Sequence, residues 1–188
     1  MIRKVLVLFF LIGLTLSTSG QDTAKSNRKL SVEDFFKGMN NKYLGKKFPD
    51  FVIRTSNSST LSNTDLANKI VFINFWAKHC SPCIAELKGF NQLFNKLKDN
   101  PNFLLITFTI DADTTIKRLI PKYNLKFKVF HLDDKDFYRL NFNNGLPTSM
   151  ILDKNGIIKY FQIGGTNEID QATKNVMTII YPKIIELL

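Results

Sequence analysis

Two stretches of the chain are apolar almost without interruption: Ile70-Val71-Phe72-Ile73-Asn74-Phe75-Trp76 and Phe103-Leu104-Leu105-Ile106-Thr107-Phe108-Thr109-Ile110. A strand with one wet face alternates apolar and polar residues, so these runs predict central strands covered on both faces. Between them Ile84, Leu87, Phe90, Leu93, Phe94 and Leu97 recur at helical spacing and predict a helix from Cys80 to Lys98. Strand, helix, strand in that order is a βαβ unit.

Downstream, Asp111-Ala112-Asp113-Thr114 offers caps for a helix ending near Tyr123, Phe127 to Leu132 reads as a strand, and a short helical segment follows near Asp136 to Leu140. Thr148 to Leu152 and Ile157 to Ile163 are β-rich runs joined through Asp153-Lys154-Asn155-Gly156, whose Asn-Gly is a hairpin signal. Gly164-Gly165 ends the second run. Glu168 to Leu188 is patterned as one amphipathic helix with Ile169, Ala172, Val176, Ile179 and Ile180 on its inner face. Upstream, Phe51 and Ile53 alternate, the Ser/Asn-rich Thr55 to Thr60 makes a turn, and Leu61 to Leu66 leads to the first central strand. The expected fold class is α/β: a mixed central sheet flanked by helices, with an N-terminal β-hairpin extension.

The start of the chain departs from this patterning. Arg3 and Lys4 precede the apolar run Val5 to Leu16, and small residues Ser17-Thr18-Ser19-Gly20 lead into a polar stretch. That is the layout of an export signal, and twelve apolar-rich residues fall short of the ~20 that span a bilayer. Residues 1–20 are expected to be a signal peptide, cleaved or kept as an anchor. Residues 21–43 are expected to be a polar linker with a short helix after Ser31, and residues 44–188 the folded domain. Export from the cytoplasm follows. No cysteine lies near the cleavage region, which excludes lipid attachment through one.

Charge narrows the partners. Of the 188 residues 26 are basic and 16 acidic, a net +10, but no run reaches five basic residues, so a solvated surface is expected and nucleic acid is not an expected partner. A monomer is the expected state.

The two cysteines both lie in Trp76-Ala77-Lys78-His79-Cys80-Ser81-Pro82-Cys83. A structural disulfide across two residues closes almost no loop and stabilises little. A zinc site needs about four ligands, and the chain adds only His79 and His131, so no metal is expected. Thiol-disulfide exchange suits the spacing, because it needs a thiolate nucleophile and a second thiol near enough to resolve the mixed disulfide. At a helix start the backbone N–H groups and the dipole stabilise a thiolate at Cys80, and Pro82 fits the first turn, where its missing N–H loses nothing.

These residues resemble the TlpA/ResA group of thioredoxin-fold thiol-disulfide oxidoreductases over roughly residues 44 to 180. The resemblance is carried by Gly45-Lys46-Lys47-Phe48-Pro49-Asp50-Phe51, by Val71 to Ala77 before the cysteines, by Cys80-Ser81-Pro82-Cys83, and by Gly145-Leu146-Pro147-Thr148 running into Ser149 to Asp153. It implies a thioredoxin-like fold with a redox-active Cys80–Cys83 disulfide, and no cofactor. It implies a place in the periplasm or cell envelope of a bacterium, protein thiol/disulfide substrates, electrons from a membrane donor of the DsbD/CcdA kind, and a role in cytochrome c maturation. It also implies a cis Pro147 opposite the cysteines and a substrate groove at Trp76, His79, Ser81, Pro82, Leu146 and Thr148.

Other roles stay paired with plainer ones. The resemblance makes Glu86 a proton-transfer group for Cys83; the alternative is a solvated glutamate favouring the helix dipole. Asn74 stands where thioredoxin has an aspartate, and an amide is no base. A charged His79 would stabilise the Cys80 thiolate, but an exposed histidine without that role fits equally. Trp76 is either a site residue or a packing aromatic. Two rival functions remain. A peroxiredoxin-like peroxidase would carry Thr three residues before its reactive cysteine, where this chain has Ala77. A Sco-type copper chaperone would carry CxxxC with a distant histidine, for which only His131 is available.

Overall fold

The computed structural model describes residue 38, residues 41–54 and residues 60–188. The expected leader, the helix after Ser31 and turn residues 55–59 lie outside the described residues.

Strands β1 (Val52–Arg54) and β2 (Thr60–Ser62) pair antiparallel as a separate two-stranded sheet and lead into a short helix α1 (Asn63–Leu66). The main sheet follows as β3 (Ile70–Trp76), α2 (Ser81–Leu97), β4 (Phe103–Thr109), α3 (Asp113–Lys122), β5 (Lys128–His131), α4 (Asp134–Leu140), β6 (Thr148–Leu152) and β7 (Ile158–Ile163). Its strand order is β5-β4-β3-β6-β7. The pairs β3/β4 and β4/β5 are parallel, while β3/β6 and β6/β7 are antiparallel. The expected mixed α/β sheet with an N-terminal hairpin is present.

β3 is buried along its whole length because both faces are covered. Val71, Ile73 and Phe75 point to one side, where the β1–β2 hairpin, α1 and α4 close over them with Phe51, Leu61, Leu66, Phe137 and Leu140. Ile70, Phe72 and Trp76 point to the other, under α2 and the C-terminal helices. The near-continuous apolar reading of β3 is thus two alternating sets read as one.

Three details differ from expectation. Tyr43, expected in the polar linker, is buried and stacked on Phe161 at 4.2 Å between ring centroids. Asp111 does not cap α3, whose N-cap is Ala112 with no side-chain cap bond. The tail is not one α-helix: α5 (Ile169–Asn175) passes through a π-helical segment, Val176–Ile180, into α6 (Tyr181–Leu187).

That π segment explains the buried face. The inward residues are Ala172, Val176, Ile180 and Ile184, four apart, while Ile169 and Ile179 are exposed, correcting the expected inner face. At ~100° per residue an α-helix lets such a row drift ~40° each step. The wider turn, with the Tyr181 amide donating to the Val176 carbonyl, keeps the row on one side. Pro182 supplies the cause: it has no N–H for the fourth carbonyl back, and its ring crowds that carbonyl.

Candidate active site at the start of helix α2

β3 ends at Trp76, and a tight turn follows in which the Cys80 amide donates to the Ala77 carbonyl at 3.0 Å. Cys80 is the N-cap of α2, in extended conformation, and its Sγ accepts from the Cys83 amide at 3.3 Å. Cys80 and Cys83 are joined as a disulfide. They are unequal: Cys80 is half-buried and Cys83 is 1% exposed. An incoming thiolate can reach Cys80 Sγ, and in the reduced state the Cys83 N–H and the helix dipole favour negative charge there.

Across from them the Leu146–Pro147 peptide bond is cis, Pro147 is buried, and its carbonyl accepts from the Gly164 amide at 2.8 Å. Leu146 is half-buried against both cores. A Cβ built on Gly165 would lie 3.1 Å from Glu86 Oε1, 3.3 Å from Pro147 Cγ and 3.5 Å from Pro82 Cβ. Glu86, Pro147 and Pro82 therefore meet around a residue that has no side chain.

Glu86 is not a solvated helix-start residue. It is 6% exposed, its Oε2 has no hydrogen-bond partner among the described residues, and burial pushes its pKa up to about 8. The plainer alternative for this residue fails on burial: the α2 surface that carries it is covered.

Beneath α2 the strand register sets out a polar row on an otherwise apolar face. Thr107, Asn74, Ser149 and Gln162 are neighbours across β4, β3, β6 and β7. The Asn74 Nδ2 donates to Ser149 Oγ at 3.0 Å, while Asn74 Oδ1 is buried without a partner. Tyr160, two residues before Gln162 on the same face of β7, donates its hydroxyl to Gln162 Oε1. Burial raises the Tyr160 pKa, and the negative charge of Glu86 raises it further. Tyr160, Gly165 and Ser149 were missed as site residues. Gly164-Gly165 signals only a strand end, and no local pattern marks the other two.

Two expected groove residues lie inside the core. Trp76 is wholly buried and its indole N–H donates to Thr107 Oγ1 at 3.1 Å, so it packs below the cysteines and offers substrate no surface. Thr148 is also wholly buried, with its hydroxyl donating to the Gly145 carbonyl at 2.6 Å. His79 and Ser81 are exposed beside Cys80, and Pro82 is half-buried.

The rivals find little in this geometry. His131 Nδ1 donates to the Asp111 carbonyl at 3.2 Å, and among the described residues no three His, Cys, Asp or Glu side chains are grouped as a metal ion would require. Ala77 has no hydroxyl to offer a peroxide-attacking thiolate.

The AhpC/TSA family matches residues 44–161. The thiol-disulfide oxidoreductase ResA of Bacillus thuringiensis (strain Al Hakam) is 30% identical over 124 residues, 66% of this chain and 72% of that protein. The thioredoxin-like protein YneN of Bacillus subtilis (strain 168) is 29% identical over 123 residues, 64% of this chain and 71% of its own length. Among solved structures, a thiol-disulfide oxidoreductase from Bacteroides fragilis NCTC 9343 superimposes with a TM-score of 0.61 at 23% identity, covering 76% of this chain and all of that one, a likeness of fold.

Proposed function

We propose, on the premise that this chain belongs to the AhpC/TSA family and is a TlpA/ResA-like thiol-disulfide oxidoreductase of the thioredoxin superfamily, that it works outside the cytoplasm as a reductant of protein disulfides. The observation that carries this reading is the unequal cysteine pair, half-buried Cys80 joined to buried Cys83, beside a buried carboxyl. In the reduced protein the Cys80 thiolate attacks one sulfur of a substrate disulfide, forming a mixed disulfide and releasing the other sulfur as a thiolate. Cys83 gives its proton to the ionised form of Glu86 and attacks Cys80 Sγ, releasing the second substrate thiolate and leaving the Cys80–Cys83 disulfide. Substrate gains two electrons and the protein loses two.

A Glu86 pKa of about 8 suits this step, because a proton carrier works best when its pKa lies near the operating pH. Leu146 supports strand-like docking: its backbone N–H and carbonyl take no backbone partner among the described residues, so an extended substrate segment can pair there beside Pro147. His79, Ser81 and Pro82 form the rim of the same groove. The apolar run after Arg3 and Lys4 supports export, with residues 1–20 as signal or anchor and residues 21–43 as linker. A membrane dithiol donor of the DsbD/CcdA kind would re-reduce the disulfide, and cytochrome c maturation is the process in which the reading places it. The protein is read as a monomer.

Insulin reduction combined with redox titration of the Cys80/Cys83 couple tests the reading. Turnover and a reversible two-electron couple are expected. Absence of both defeats it. Cys83→Ser should then hold substrates as mixed disulfides on Cys80, and Cys80→Ser should hold none.

A further inference from the structure

Two residues before Cys80 the main chain is tied to another part of the sheet. The Lys78 amide donates to Asp111 Oδ2 at 2.7 Å, and the Thr109 hydroxyl donates to the same oxygen at 3.0 Å. Asp111 is 8% exposed although it follows the end of β4 in a loop. Its own backbone is held as well: its N–H donates to Thr109 Oγ1 at 3.2 Å, and its carbonyl accepts from His131 Nδ1. A carbonyl only accepts, so this contact places the imidazole proton on Nδ1.

Three segments thus converge on one residue: the end of β4 and the turn carrying the cysteines on its carboxylate, and the end of β5 on its backbone carbonyl. The Lys78 ammonium, 3.8 Å from Asp111 Oδ1 on a side chain 40% exposed, adds little, since exposed pairs at that distance are weak. The amide bond is different. A backbone N–H on a buried carboxylate is short, charge-assisted and shielded from water.

We propose that Asp111 is a positioning residue of the dithiol site, clamping the Lys78 amide so that the Ala77–Cys80 turn delivers Cys80 Sγ onto the Cys83 N–H. It acts through the backbone and touches no substrate. Losing the clamp lets the turn loosen, and a sulfur that drifts from the helix N-terminus loses the interactions that stabilise its thiolate. The proposal rests on dithiol exchange at Cys80 and Cys83, and the two fail separately. A wild-type protein without a reversible couple defeats the exchange reading; a normal couple indifferent to residue 111 defeats only the clamp.

The test compares Asp111→Ala with Asp111→Asn, whose side-chain oxygen can still accept from the Lys78 amide. The Cys80 thiol is titrated by thiolate ultraviolet absorbance in the reduced protein, alongside exchange rate and reduction potential. Asp111→Ala is expected to raise the thiol pKa by about one unit and slow exchange about tenfold at neutral pH, with Asp111→Asn within about twofold of wild type. A folded Asp111→Ala protein with wild-type titration, or an Asp111→Asn protein as impaired as Asp111→Ala, overturns the clamp. If Asp111→Ala does not fold, amide hydrogen exchange decides. Slow exchange at Lys78 in wild type and Asp111→Asn is expected, and free-peptide rates there would overturn the proposal.

Discussion

Gly165 stands directly over Glu86, so close that a Cβ on the glycine would come within 3.1 Å of the carboxyl oxygen. The contact joins the loop after β7 to helix α2, and it roofs the buried acid three residues after Cys83. Glu86 is dry because this glycine leaves room for it beside Pro147 and Pro82.

Burial of Glu86 makes stability depend on pH. Its pKa in the folded protein is about 8 against an ordinary 4.5, so between those values the folded protein keeps a proton that the unfolded chain has released. Stability is full below the lower value and falls as pH rises toward the upper one, by at most about 1.4 kcal/mol per pH unit. Glu86→Gln is expected to remove that slope and to remove the matching titration from the rate at which Cys83 resolves mixed disulfides. Urea unfolding across the pH range checks the first; an unchanged slope would show that Glu86 is ionised and solvated.

Gly165→Ala is expected to push the Glu86 carboxyl toward water and lower its pKa, because the added methyl also meets Pro147 Cγ at 3.3 Å. The stability slope should shift to lower pH. Gly145→Ala is the control on the same side of the site, where an added Cβ meets nothing within 4 Å. Identical pH profiles for both variants would mean that the roof is soft enough to be irrelevant.

Trp76→Phe separates packing from recognition. It deletes the indole N–H on Thr107 and leaves a void in a fully buried site, which should cost about 1–3 kcal/mol in denaturant unfolding. Insulin reduction per folded molecule should stay within about twofold of wild type. A large loss of turnover at unchanged stability would return Trp76 to the substrate groove.

At Gly89 α2 packs tightly against the tail helices. A Cβ there would sit 2.9 Å from both Val176 Cβ and Cγ2, and 3.1 Å from the Thr173 Cα. Gly89→Ala is expected to cost about 1–3 kcal/mol through overpacking, despite alanine's better helix propensity. Adding Val176→Ala should recover part of it, a coupling that a double-mutant cycle measures. Strictly additive losses would place the strain elsewhere.

The strands, the βαβ unit and the cysteine pair at a helix start were all legible in the sequence, because each is a local property. Uninterrupted apolar runs demand covered strands, 3.6-residue spacing demands a helix, and two residues between cysteines suit one helical turn. The Leu146-Pro147-Thr148 segment was set opposite the cysteines only by the resemblance to the TlpA/ResA group. What was not legible depends on which segments meet. Burial of Glu86 needs a helix covered on the side that carries it, and the polar row from Thr107 to Gln162 exists only once four strands are in register. Asp111 reads locally as a helix cap and becomes a partner of Lys78 only through a contact 33 residues away in the chain. The tail's inner face was misjudged at Ile179, which lies within the π turn, and at Ile169, which precedes it. A chain pattern records which residues prefer to leave water; desolvation of an acid, and the pKa that follows, belong to the assembled neighbours that take the water's place.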